Sequence, residues 1–150
     1  KRLIKSPKVY FADSGLLAFL LGIESEKMLI RSPFLGPVFE TFVASEIVKM
    51  QISSGRPRAL YYFRDQQGLE VDFVLPRGGR ELLFVEAKAT KTVTPQMGEP
   101  LVRLATAVSR YDTECVLVHR PARQTAGVSA LRPGVKALSL GELLGKLAHR

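Results

Sequence analysis

The sequence predicts an α/β domain built on a mixed central sheet flanked by helices. Three apolar runs, residues 59–64, 69–75 and 82–89, follow one another with only the short polar segments 65–68 and 76–80 between them. That spacing describes an antiparallel meander of three strands. A helical pattern precedes the meander and another follows it, and the second leads into a further apolar run, residues 114–120. A strand, helix, strand order needs a crossover, so this last strand should lie parallel to one of the meander. With 150 residues, 46% of them hydrophobic, the chain can close one core without disulfide or metal staples.

Each element has a local reason. The first eight residues include Lys1, Arg2, Lys5 and Lys8 and no initiator methionine; residues 1–35 are therefore expected to connect to an upstream module, and residues 36–150 to form the main domain. Residues 9–12 suggest a short strand. Asp13 or Ser14 can cap a helix whose apolar body, 16–21, stops at Gly22. Residues 24–33 read as a polar connection. From Gly36 to about Gln51, the residues Phe39, Val43, Ile47 and Met50 recur at helical spacing, with Pro37 in the first turn. Glu40 lies at the edge of that apolar face, and Glu46 falls between Phe39 and Phe42 on a helical wheel. The run 59–64, ALYYFR, offers Tyr61, Tyr62 and Phe63 to a core or to stacked bases. After residues 95–100, a helix to about Arg110 turns Leu101, Leu104, Ala105 and Val108 toward the sheet. Residues 121–134 read as a loop, 135–140 as a short strand and 141–148 as a terminal helix. The GELLGK of that helix has one residue too few between its glycines for a phosphate loop, and Leu147 stands where Ser or Thr would bind magnesium. His119 and His149 lack metal-ligand spacing.

Charge and cysteine usage narrow the class. A net charge of +8 favours polyanionic partners, of which nucleic acid is the commonest in a cytoplasm. The lone Cys115, inside ECVLVHR, reads as a buried thiol of a reducing compartment, which points to the cytoplasm. The longest apolar run, residues 15–23, falls short of the ~20 residues of a membrane span, so no membrane partner is expected.

The chemistry gathers in the stretch 69–90. Alternation along residues 82–89 puts Leu83, Val85, Ala87 and Ala89 on one face and Leu82, Phe84, Glu86 and Lys88 on the other. Along 69–75 it puts Leu69, Val71, Phe73 and Leu75 on one face and Glu70, Asp72 and Val74 on the other, so Asp72 can sit beside Glu86. A strand apolar on both faces is a central one, where unpaired charges cost several kcal/mol each, roughly. Glu40, Asp72, Glu86 and Lys88 thus form a candidate constellation. Carboxylates sharing a buried site repel one another and take up protons unless a divalent cation neutralises them. Mg2+ or Mn2+, with one or two carboxylates and the remaining positions open to water and phosphate oxygens, suits phosphodiester hydrolysis. The Lys88 ammonium could then hold the attacking water and offset phosphate charge. The plainer alternatives are an ordinary Glu86–Lys88 ion pair, an Asp72–Arg64 pair, and Glu40 paired with a lysine at the helix margin; Glu46 and Glu70 read as structural or supporting residues.

GPVFE at 36–40, EVD at 70–72 and EAK at 86–88, in the order helix, three strands, helix, strand, resemble the PD-(D/E)XK nuclease superfamily over residues 36–120. More narrowly, KVYFADSGLLAFLLG, GPVFETFVASEIVK, YYFRDQQGLEVDFVL and VEAKAT together resemble the uncharacterised domain that follows an AAA+ type ATPase module in many bacterial proteins. The resemblance implies a restriction-endonuclease-like fold with an αβββαβ core. It implies a hydrolase site in which Asp72, Glu86 and the Ala87 carbonyl hold Mg2+ or Mn2+, Lys88 serves the water and Glu40 is the helical acidic residue. DNA and an ATPase module are the partners it implies. Val71 stands where the superfamily's name has proline, a frequent variation. Two other classes compete with a nuclease: a non-catalytic domain of the same fold that binds DNA or a protein and regulates the ATPase, and an interaction module whose strand charges are closed internal ion pairs.

Overall fold

The computed structural model describes residues 7–121 and 129–148, so Lys1, Arg2, Lys5 and His149 lie outside the described residues. The meander is present as β1 (Tyr61–Arg64), β2 (Glu70–Pro76) and β3 (Glu81–Lys88), each antiparallel to the next. As the crossover rule required, β4 (Asp112–His119) runs parallel to β3, in register from Glu81 opposite Asp112 to Lys88 opposite His119. Two short strands extend the sheet. β5 (Ser129–Arg132) pairs antiparallel with β6 (Val135–Leu138), which lies parallel to β4, giving the order β1-β2-β3-β4-β6-β5.

Helices cover both faces, which is why β3 and β4 are apolar on both sides. The helices are α1 (Ser14–Leu20), α2 (Glu26–Arg31), α3 (Leu35–Ser53), α4 (Glu99–Ala107) and α5 (Leu140–Ala148). On one face, Val43 and Ile47 of α3 and Leu143 of α5 pack with Phe73, Leu83, Val85 and Val116. On the other, Leu101 and Leu104 of α4 pack with Leu69, Val71, Phe84, Cys115 and Leu117. Fully burying each such side chain stabilises the fold by about 1.5–3 kcal/mol. Burial also pushes the Cys115 thiol up to about 11, so it stays protonated.

Four local expectations need correction. Residues 9–12 are not a strand among the described elements. The segment 24–33 contains α2, capped by the Ser25 hydroxyl accepting from the Met28 N–H at 3.3 Å. The expected loop 121–134 contains β5, held because Ser129 and Ala130 find partners in Ala137 and Lys136; residues 122–128 lie outside the described residues. Finally, α3 is buried beyond its Phe39, Val43 and Ile47 stripe, at Val38, Thr41 and Ser45 as well, because α1 and α2 also pack against it.

Candidate active site

The constellation is created by an irregularity in β2. Tyr61 pairs with Val74, but Phe63 pairs with Val71, so Asp72 and Phe73 together oppose the single residue Tyr62. This is a β-bulge, a device that re-aims side chains. Its effect appears in the packing: Leu69 and Val71 join the α4 core, whereas Phe73 and Leu75 join the α3 core. The simple alternation that put all four on one face fails at Asp72.

The β2–β3 ladder also stops there. Its pairs run from Pro76 opposite Leu82 to Phe73 opposite Val85, and beyond them the Asp72 side chain replaces the strand, Oδ2 accepting the Ala87 N–H at 3.0 Å. Asp72 and Glu86 are 8% and 5% exposed, dry enough for their charges to be expensive. Lys88 donates to Glu86 Oε1 at 2.6 Å, while Glu86 Oε2 is buried with no hydrogen-bond partner among the described residues. Burial, then the Asp72 charge, pushes the Glu86 carboxyl up to about 7, against the pull of Lys88 and of the Asp72 backbone N–H. Asp72 is raised by burial and by the charge of Glu40, with the Ala87 N–H, Lys8 and Lys88 opposing. Lys88 itself is held above the usual lysine range: burial would lower it, but Glu86, Asp72 and Glu40 outweigh burial.

Sequence reasoning missed the cation at the centre of the acidic group. Lys8 Nζ lies 2.8 Å from Glu40, 2.7 Å from Glu70 and 3.4 Å from Asp72. Burial works against this ammonium, but the hydrogen bonds it donates to Glu40 and Glu70 prevail and hold it well above the usual range. The Tyr10 hydroxyl donates to Glu40 at 2.5 Å, and its ring packs 5.8 Å from that of Phe73. Burial and Glu40 raise the tyrosine as well. Glu70, expected to be supporting, grips both Lys8 and Arg64, the latter at 2.6 Å, and is lowered by them against its partial burial. Arg64 therefore serves Glu70 and not Asp72. Glu46 pairs with Lys49 on the surface of α3, away from the group. His119 stands opposite Lys88 in the β3–β4 register, with Nδ1 buried and without a hydrogen-bond partner among the described residues.

Among the described residues no three His, Cys, Asp or Glu side chains are grouped as a ready metal cluster. The pair Asp72 and Glu86 nevertheless fits a divalent cation, because Mg2+ commonly takes only one or two carboxylates and Glu86 Oε2 is an orphaned buried acceptor. Where all four expected residues stand is thus clear: Asp72, Glu86 and Lys88 converge, and Glu40 reaches the same group through Lys8.

Fold and site together define a mixed α/β domain with a six-stranded sheet and a dry acid pair set between two lysines. The chain belongs to the DUF4143 family, described as a domain of unknown function, which matches residues 35–140. It is 37% identical over 108 residues to the uncharacterized protein Mb2031c of Mycobacterium bovis, and equally to the uncharacterized protein Rv2008c of Mycobacterium tuberculosis. Each match covers 71% of this chain and 24% of the relative, so the chain spans about a quarter of the length of these curated relatives. No solved structure matches it. Among the described residues, no helix is long and apolar enough to cross a membrane.

Proposed function

We propose that this is a restriction-endonuclease-like domain of the PD-(D/E)XK type, which hydrolyses DNA phosphodiester bonds with Mg2+ or Mn2+ and works beside an ATPase module in a longer protein. The observation that carries the reading is the buried pair Asp72 and Glu86, two carboxyls each raised by burial and by a neighbouring acid, with Glu86 Oε2 lacking a hydrogen-bond partner among the described residues. Asp72, Glu86 and the Ala87 carbonyl would hold the cation, which when bound supplies Lewis-acid stabilisation of phosphate charge. Lys88, anchored on Glu86, would position the attacking water and share the developing negative charge. Glu40 would fix Lys8 and Tyr10, closing the acidic group on its α3 side. Lys88→Ala and Asp72→Asn are each expected to abolish Mg2+-dependent cleavage of plasmid and linear DNA while leaving the circular-dichroism spectrum intact. Nicking that survives in both variants would place the activity elsewhere.

A second reading has its own support. Lys8 pairs with Glu40, Glu70 and Asp72 from inside the chain, as in an interaction module whose strand charges are internal ion pairs. Divalent cations separate the two: the nuclease reading expects Mg2+ to raise the melting temperature, by ~2.7 kcal/mol of stability at a hundredfold excess over its Kd. The cluster reading expects no gain.

A further inference from the structure

The large apolar side chains that the domain leaves in water gather in one stretch of the chain. Nine of the eleven large hydrophobic residues exposed among the described residues fall between Val9 and Phe42. α1, SGLLAFL, has no charged side chain, and neither α1 nor α2 contains a buried residue. A helix apolar on every side is normally buried, yet Phe19 is 74% and Leu20 62% exposed. Just before α1, Lys8 and Tyr10 turn inward to Glu40, while Val9 between them is 85% exposed. α1, α2 and α3 meet around a cleft of about 400 Å³ whose apolar wall includes Ala18, Leu29, Ile30, Val38 and Phe42. Taking ~150–250 Å² for a whole large side chain, the nine residues expose on the order of 800 Å². The largest apolar patch of a typical monomer is ~300–600 Å², and a stable interface takes ~800 Å² from each partner.

The chemistry of this face selects its occupant. Helices that lie on a lipid surface carry Lys and Arg beside their apolar side. Residues 9–26 hold Asp13, Glu24 and Glu26 and no Lys or Arg, although the chain as a whole is strongly basic, so a membrane is a poor match. The family's model matches residues 35–140, which leaves α1 and α2 outside the span that the family shares. The curated relatives have three quarters of their length outside the part that this chain matches. Two short apolar helices that stand outside the family's domain and bury nothing in it have the character of a border with a neighbouring module. We infer that α1, α2 and the cleft they share with α3 are the seat of another folded module of the same longer polypeptide, which presents an apolar protein surface to them. The inference does not rest on the nuclease reading, since none of its residues belongs to the acid pair.

The test compares amide hydrogen exchange, read by mass spectrometry, in the full-length protein that carries this chain and in the 150-residue chain alone. Amides of residues 14–31 should exchange at least about tenfold more slowly in the full-length protein, because a covered helix opens less often. Those of β3 and β4 should match in the two forms, which shows that the shorter chain is folded. Phe19→Asp should return residues 14–31 of the full-length protein to fast exchange and leave the melting temperature of the shorter chain unchanged, since Phe19 is exposed there. Equal exchange of residues 14–31 in the two forms would overturn the proposal. So would a 150-residue chain that sediments as a dimer, protects these helices by itself and is dissociated by Phe19→Asp, for then a second copy covers the face. Should Phe19→Asp fail to fold, the wild-type comparison and the sedimentation of the shorter chain decide alone.

Discussion

Without a divalent cation and at about pH 8, Glu86→Gln should stabilise the domain. The Glu86 carboxyl moves from 4.5 to about 7 on folding, chiefly through burial and then through Asp72. A carboxyl raised in the folded state binds its proton more tightly there. Its favourable contribution is full below the unfolded value and is lost as pH climbs from about 4.5 through 7. At 1.36 kcal/mol per pH unit this gap is worth roughly 3 kcal/mol. Asp72, also raised, acts in the same direction. Glu70 and Glu114 are lowered, so their contributions are lost at acid pH instead; Glu114, held at about 2, loses its contribution below its ordinary 4.5. Glutamine keeps the shape of Glu86 and removes the charge, and Lys88, 39% exposed, can turn to water. At 2–4 °C per kcal/mol for a chain of this size, the variant should melt roughly 6–12 °C higher at about pH 8 and show no advantage near pH 4.5. Thermal denaturation in EDTA across that range measures it. A wild-type melting temperature that rises steadily from pH 5 to about 8, or a Glu86→Gln variant that melts lower at about pH 8, would refute the repulsion argument.

Three further outcomes follow from the same contacts. Lys8→Met removes the cation shared by Glu40, Glu70 and Asp72 and should cost about 1–3 kcal/mol in metal-free urea unfolding, with Mg2+ restoring much of the loss; unchanged stability would show that Lys8 does not neutralise the group. Ile47→Ala, at a side chain with no exposed surface between α3 and the sheet, should cost about 2–5 kcal/mol by the same assay, and a loss under about 1 would contradict the described packing. Duplex DNA should bind through the excess of Lys and Arg, with affinity falling steeply as salt rises; no anisotropy change at low salt would remove nucleic acid as a partner.

The meander and a strand parallel to it were legible because β3 and β4 are continuous apolar runs and the turns between strands carry Gly, Pro and Asp; that β4 joins β3, and that β6 lies between β4 and β5, was not. The small edge elements were not. α2 spans only six residues, too short for periodicity to show, and its signal was the capping Ser25. β5 was hidden in a Pro- and Gly-containing stretch, although Pro133 and Gly134 before β6 are themselves a turn signal. Asp72, Glu86 and Lys88 stood out locally because charges are costly on a central strand. Lys8 did not, since nothing near it in sequence reports a partner 64 residues away, and nothing in the regular alternation of 69–75 announces a bulge that depends on the register with β1.

Manganese binding tests the central claim most directly, because it asks about the Asp72 and Glu86 site without knowing the DNA substrate. Free Mn2+ can be followed by its paramagnetic resonance signal during titration of wild type, Asp72→Asn and Glu86→Gln. One ion per wild-type chain is expected, with each variant weakened at least tenfold, about 1.4 kcal/mol, and still folded. No binding by wild type, or the same affinity in all three, would contradict a metal site and leave Lys8 on Asp72 and Lys88 on Glu86 as the cations of these carboxylates.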